Sequence, residues 1–488
     1  MENSITKRLK YGTVAMIFTA VFVAVIVILN IITTAVHSSR PMIIDMTRKQ
    51  IYGITEASRE LLKDITAPVE IVFFMDLDLF ENRVSGGRMI TQCVKSYENE
   101  FDYISIVVKD IIKYPQIADE YKASGISSFQ TTNVVIHSGT SSRILQASAF
   151  FVIAESTGQY FGFAGEKQLT ASILQVTSTD TPRVYFTTGH SESNPASLVS
   201  LFTTNGFIVE QIDLTKEEID PDVKIIVICN PIKDFIPANP DDPTSKGEID
   251  KIATYLNNFG NVMYFTSPEV GALPEIDDLL KEYGIVFNHN TMITDPKNSL
   301  YQDGLTLVAE YNVSNISAGD ELTASIRKLP TPPKTIVPRA KSIELLTLSD
   351  IGNPAPVLVA SSAANQTSYM SNDSETVPAP GANLLVMGQK TRYVDNEPKS
   401  QLLLACGSYD FLNRLTSGSY ANSDVILNAI RIMANRRIAT EISFKDLDSS
   451  ALSMTVDEQN LWSRICIFLM PAIVMIIGIA IWLRRRHA

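Results

Sequence analysis

The sequence predicts an α/β protein of the bitopic membrane class: a large extracytoplasmic region, holding a small α/β domain and a second, larger α/β domain, anchored at both ends. Three observations lead there. Residues 14–32 (VAMIFTAVFVAVIVILNII) and 465–483 (ICIFLMPAIVMIIGIAIWL) are uncharged apolar runs, each long enough as a helix to cross a hydrocarbon core of about 30 Å. Lys7, Arg8 and Lys10 precede the first run and Arg484, Arg485 and Arg486 follow the second. Between the runs, short apolar segments alternate with amphipathic ones, the pattern of an α/β domain.

Basic residues in short flanks stay cytoplasmic. The expected layout is therefore a cytoplasmic tail over 1–12, a transmembrane helix over 13–36, an extracytoplasmic region over about 37–460, a second helix over 463–483 and a tail over 484–488. The expected location is the cytoplasmic (plasma) membrane, with membrane lipid as a contact. A cleaved signal peptide fits less well. The first run is longer than a usual signal core, and the Thr33–His37 stretch is a poor small-residue cleavage site. Trp482 suits an interfacial aromatic, and Pro471 reads as a kink.

The formal net charge is −12, and both tails are basic, so the region between them is more acidic still. Nucleic acid and anionic surfaces need a basic face and are not expected as ligands. The length between the runs suggests two or three domains. Of four cysteines, Cys466 lies in the second apolar run, while Cys93, Cys229 and Cys406 lie in apolar or amphipathic segments. Their spacing matches no zinc site and no disulfide framework, so buried, inert thiols are expected.

The small α/β domain is expected over 44–155. Thr55 caps a helix running to Ile65, Pro68 stops it, and residues 69–74 read as a buried strand. A helix over 89–101 and strands over 104–109, 133–137 and 150–154 follow, and Gly165 opens a connecting helix ending near Val176. A second α/β domain is expected over 180–440. Its elements begin β-α-β-β-α-β-α: strands at 183–186, 207–212, 224–228 and 262–265, and helices around Leu198–Phe202, over 249–259 and over 276–283. Gly260 and Gly284 are expected to end the last two helices. The strands are uniformly apolar, as in a parallel sheet covered on both faces. Further on, residues 384–387 and 402–405 read as core strands, and 423–434 as a helix capped by Asn422 or Ser423. Residues 231–247 and 360–381 read as loops, and 441–460 as a polar, membrane-proximal stalk.

No Gly-Lys dipeptide occurs, so the chain has no phosphate-binding P-loop. None of its histidines (His37, His137, His190, His289, His487) pairs with another at metal-ligand spacing, and there is no Gly-x-Ser-x-Gly elbow. No metal, cofactor or catalytic residue is therefore expected. Cys229 follows a core strand, where a nucleophile elbow would sit, but Ile228 and Asn230-Pro231 are too bulky for so tight a turn. Gly189, His190, Ser191 and Glu192 also follow a strand, at the edge where open α/β sheets bind ligands. They are the candidate ligand or partner cleft, set against a plain strand-to-helix turn with Ser191 or Ser193 as cap. The Asp241-Asp242 pair reads as a solvated loop.

Several of these segments resemble, in order, the GldG-like family, auxiliary components of ABC-type transport systems associated with gliding motility. Ile44-Asp45-Met46-Thr47 with Tyr52 and Thr55 resembles its I-D-L-T-x-x-x-x-Y-x-L-[ST] motif. Gly165-Glu166 with Leu169-Thr170 resembles G-E-x-x-L-T-x-A-I. Residues 182–192 resemble P-[KR]-V-Y-F-L-T-G-H-G-E, with Ser191 where the family usually has glycine. Asn422-Ser423-Asp424 through Ala429 resembles N-[SG]-D-F-L-L-N-A, and Pro471 with Trp482–Arg486 resembles the family's closing helix. The departures are Ser191, Gly260-Asn261 in place of a Gly-Gly pair, and the proline-rich loop after Cys229.

The resemblance implies a GIFT-type Rossmann-like domain without a catalytic cysteine, no enzymatic activity, and two partners, an ABC ATPase subunit and an ABC-2-type permease. The function expected is a non-catalytic, membrane-anchored accessory subunit whose outer domains guide substrate or transmit conformational change. The alternatives are a stand-alone, membrane-anchored extracytoplasmic module for glycan or polymer, and an envelope hydrolase using His190 and Glu192.

Overall fold

Short runs of β-branched and aromatic residues set the architecture. The computed structural model describes residues 51–447 except 117–129, 154–157, 179, 240, 242–245, 314–316, 330–331, 348–351, 369–375, 417 and 440–441, together with 21–22, 24–28 and 478. The chain divides into two compact units, Met1–Lys445 and Asp446–Ala488.

In the first unit, β1 (Val69–Phe73), β2 (Ile104–Val108), β3 (Val134–Ser138) and β4 (Ser141–Leu145) form a sheet ordered β2-β1-β3-β4. The β1–β2 pair is parallel, bridged by helices Leu77–Arg83 and Gly87–Glu100, and the other pairs are antiparallel. A short ladder of β5 (Phe151–Ile153) and β6 (Tyr160–Phe163) leads into helix Gly165–Val176. Glu166 of that helix is buried. Its Oε1 accepts from the Thr55 amide, the Thr55 hydroxyl and the Ser58 hydroxyl, each at 2.6 Å, and its Oε2 lies 3.0 Å from Lys445 Nζ. Tyr97 donates to Thr170 Oγ1 or accepts from it at 2.7 Å. Thr55 does sit at the start of helix Glu56–Leu62, but its hydroxyl serves Glu166 and not its own helix.

The larger sheet begins with β7 (Arg183–Thr188), β8 (Ile208–Asp213), β9 (Val223–Cys229) and β10 (Asn261–Phe265). It continues through β11 (Ile285–Phe287), β13 (Thr306–Tyr311), β14 (Thr335–Pro338), β15 (Ile343–Leu345) and β16 (Asn353–Val359). Its last strands are β19 (Asn383–Val394) and β20 (Glu397–Cys406), while β12 (Thr291–Thr294), β17 (Asn365–Ser368) and β18 (Thr376–Pro378) form a separate antiparallel sheet ordered β12-β17-β18. The path β14-β13-β16-β19-β20-β10-β9-β7-β8 is parallel from β20 to β8 and antiparallel from β14 to β20. The sheet is thus mixed, parallel only over the strands the sequence marks as uniformly apolar. Along those strands alternate residues fall into two cores. Phe186, Val227, Met263 and Leu404 face helices Ala196–Thr204 and Asn422–Met433. Tyr185, Ile226, Tyr264 and Leu403 face helices Glu248–Asn257 and Pro274–Lys281.

Two terminations differ from expectation. The left-handed residue after helix Glu248–Asn257 is Phe259, at φ 65°, not Gly260. Gly260 is needed because any Cβ there would lie 2.3 Å from the Tyr255 ring. Asn422 is no cap either. Its buried amide accepts from Ile336 N at 3.0 Å and donates to Ile336 O at 2.8 Å, fastening the helix to β14. Residues 360–381 are not all loop, since β17 and β18 pair within them.

The bitopic expectation is corrected. Among the described residues no helix is long and apolar enough to cross a membrane. A span needs roughly 20 residues of continuous helix, whereas the helical residues described in the first run are 21–22 and 24–28. The membrane-anchored class, the plasma-membrane location and the lipid contact expected from the apolar runs and their basic flanks are therefore not supported. The remainder of both runs, the tails, the 44–50 motif and most of the stalk lie outside the described residues.

Candidate functional site

In a parallel sheet, strand order decides where a ligand crevice opens. The sequence β8-β7-β9-β10-β20 is the doubly wound order 2-1-3-4-5, which reverses direction between β7 and β9. The loop after β7 carries Gly189, His190, Ser191 and Glu192, so the structure brings all four candidate residues to the switch point. Asn230 follows β9 directly across the crevice.

The backbone turns sharply at both strand ends. Gly189 has φ 115°, Ser191 φ 60° and Asn230 φ 52°, and Ser191 accepts a left-handed conformation that glycine would take without cost. The ends are laced together: Ser193 N donates to Cys229 O at 2.9 Å, and Asn230 N to Phe265 O at 2.7 Å. Neither Ser191 nor Ser193 caps the next helix, which starts after Pro195.

His190 is enclosed on every side. Its Nδ1 lies 3.0 Å from Glu192 Oε1 and its Nε2 lies 2.9 Å from Glu248 Oε2. The Phe235 ring stacks on the imidazole with centroids 4.1 Å apart. The backbone amides of Ile232 and Lys233 both donate to the His190 carbonyl, at 2.9 and 3.1 Å. The side chains of His190, Glu192 and Glu248 are 4%, 2% and 4% exposed, so this pair of ionic contacts is sealed from solvent. Burial opposes charge on His190, but hydrogen bonds and attraction from Glu192 and Glu248 prevail and raise its pKa. Glu192 shows the complement: burial pushes its pKa up, and the hydrogen bonds from His190 pull it below the usual carboxylate range. Both ring nitrogens thus face carboxylate oxygens, an arrangement that favours the protonated imidazole. Glu248 is the first residue of its helix, where the macrodipole favours a negative charge.

Such an arrangement positions a loop, and it leaves no ring nitrogen for a substrate. Cys229 is equally withdrawn. Its side chain belongs to the core shared with Val227 and Met263, and burial drives its thiol pKa far up. Burial raises Cys93 and Cys406 to about 12. A low-pKa, accessible thiol is what nucleophilic cysteine chemistry needs.

The sequence reading missed Phe235 and Glu248, which complete the enclosure. It also missed a second strand-end cluster. Lys341 is fully buried, donates to Val270 O at 3.0 Å and lies 3.4 Å from His289 Nδ1, while His289 Nε2 lies 2.9 Å from Asp277. Desolvation lowers the Lys341 pKa to about 8. Nothing in the surrounding sequence distinguishes this lysine from a surface one. Among the described residues no group of histidine, cysteine and acidic side chains is arranged to hold a metal ion. Asp242 and two of the five histidines, His37 and His487, lie outside the described residues.

Residues 48–151 match a family model described as a domain of unknown function, DUF7088. No curated protein matches the chain. Among solved structures, PurLQS from Thermotoga maritima is 11% identical, covering 52% of this chain and 100% of that one, with a TM-score of 0.28. The cytoplasmic protein STM3548 from Salmonella typhimurium is 10% identical over 51% of this chain and 98% of that one, at 0.30. SMU.1228c is 10% identical over 52% and 99%, at 0.26. Likeness of this degree carries no argument about this chain, and none of these matches names a transport system.

Proposed function

We propose that the chain is a non-catalytic accessory subunit of an ABC transport system, working through contacts with partners while a separate ATPase subunit hydrolyses ATP and an ABC-2-type permease moves the cargo. The observation that supports it is the closed switch point. An α/β enzyme keeps its reactive groups open at that edge, and here His190 is committed to Glu192 and Glu248 beneath Phe235. The transport assignment rests on the ordered motifs. Two of them now have structural roles: Glu166 holds helix Glu56–Leu62, and Asn422 holds β14. Their work is to fix the surface that a partner would meet.

Affinity purification of the tagged full-length chain, with mass spectrometry of what accompanies it, tests this reading. The expected result is a P-loop ATPase and a multi-span permease in fixed ratio. Recovery of the chain alone under several mild detergents contradicts it and favours the stand-alone glycan- or polymer-binding reading.

A further inference from the structure

A cavity of about 460 Å³ opens at the amino edge of the parallel strands, opposite the switch point. Its size is that of small-ligand sites, roughly 300–1,000 Å³. It is lined by the starts of β9 and β10 and by the ends of helices Glu248–Asn257 and Asn422–Met433. Its charge is opposite in sign to that of the chain. Three lysines, Lys224, Lys246 and Lys251, line it against one acid, Glu218, a net of +2 in a protein of net charge −12.

The three lysines divide by role. The Lys251 side chain is 10% exposed and its ammonium group is fully engaged: it donates to Leu214 O at 2.8 Å and to Glu217 O at 3.0 Å, and lies 3.2 Å from Glu218. It fixes a charge in the wall and offers no bond. Lys224 and Lys246 are exposed and make no hydrogen bond or ion pair among the described residues. Lysines near helix ends often cap the last carbonyls, but other groups do that here. The Asn261 amide donates to Met433 O at 2.9 Å, and the backbone amides of Asn258, Phe259 and Gly260 close the last turn of helix Glu248–Asn257. The neutral polar groups of the lining are uncommitted too: the side chains of Thr254, Asn258 and Asn435 make no hydrogen bond among the described residues. Tyr255 and Phe259 supply ring surface. Arg392 and Lys399 lie 4.8 and 5.8 Å from the Phe259 ring centroid and add positive charge beside the cavity.

From these observations we infer that the cavity binds a small phosphorylated sugar or polyol. A phosphomonoester carries about −1.5 to −2 charges at neutral pH, which matches the net charge of the lining, whereas a carboxylate would leave one charge unmatched. Lys224 and Lys246 hold the phosphate by charge-assisted hydrogen bonds. The hydroxyls of the ligand meet Thr254, Asn258 and Asn435, whose side chains both donate and accept. The inference stands independently of the transport reading, since it concerns the opposite edge of the sheet and needs neither ATPase nor permease.

The test is calorimetric titration of the full-length protein with glycerol 3-phosphate, ribose 5-phosphate and glucose 6-phosphate, and with glucose and inorganic phosphate for comparison. Saturable binding of at least one of the phosphorylated probes is expected, at least about tenfold tighter than that of glucose or inorganic phosphate and weaker as salt rises. Lys224→Gln and Lys246→Gln each remove one exposed ammonium group and should weaken it at least about tenfold. Asn435→Gly keeps the left-handed backbone found there at φ 48°. It should weaken the phosphorylated probe and leave inorganic phosphate unchanged. No saturable binding by any phosphorylated probe up to about 10 mM, equal affinity for glucose or inorganic phosphate, or an affinity unchanged in the variant carrying both lysine substitutions would overturn the inference.

Discussion

Two carboxylates outweigh the cost of burying a charge on His190 and raise its pKa, and this has consequences for stability. A histidine whose pKa is raised on folding contributes stability that is complete below its unfolded value, about pH 6.5, and is lost as pH rises through the elevated folded value. Glu192, with its pKa depressed, contributes stability that is complete above about pH 4.5 and is lost as pH falls through the depressed value. The unfolding free energy in urea should therefore be highest between about pH 4.5 and 6.5 and decline on both sides. His190→Ala leaves two buried carboxylates without their cation and should cost about 3–5 kcal/mol at pH 6, and the decline above pH 6.5 should disappear with it. An unchanged alkaline limb in that variant would mean that the enclosure is not the titrating element.

At the scale of elements, one carboxylate holds the start of the small domain. Glu166→Ala removes the acceptor for the Thr55 amide and for the Thr55 and Ser58 hydroxyls, and it should cost about 3 kcal/mol. Hydrogen exchange across residues 56–62 should rise more than in β9, and a cost under about 1 kcal/mol would contradict the anchoring role. The strands of the parallel half were legible in the sequence because burial on both faces demands unbroken apolar runs, as in Ile225–Ile228. β17 (NQTS) and β18 (TVP) were not, since these half-buried or exposed strands carry neither a run nor an alternation. Asn422 was misread because asparagine is a common helix cap, and its bonds to Ile336 span 86 residues of sequence. At the candidate site the loop after β7 could be read from its place behind an apolar strand. Glu248 could not, because an acidic residue in a helix's first turn is ordinary and its partner His190 is 58 residues away.

For the molecule as a whole, the parallel strands form one doubly wound unit, and the antiparallel strands are inserted between β10 and β20 and widen the same sheet. That insertion carries Lys341 and His289 to the carboxyl edge, so the edge is built from both halves. The bitopic layout is not supported at this scale, because among the described residues no helix is long and apolar enough to cross a membrane. The acidic net charge of −12 argues against nucleic-acid partners. The central claim is that the chain acts by contact and performs no chemistry. Its most direct test is the ATP hydrolysis of the purified ATPase–permease pair, measured without the chain, with it, and with His190→Ala at a pH where that variant stays folded. The account predicts no turnover by the chain alone and a changed rate for the pair on adding either form. Turnover by the chain alone that disappears in His190→Ala would contradict it.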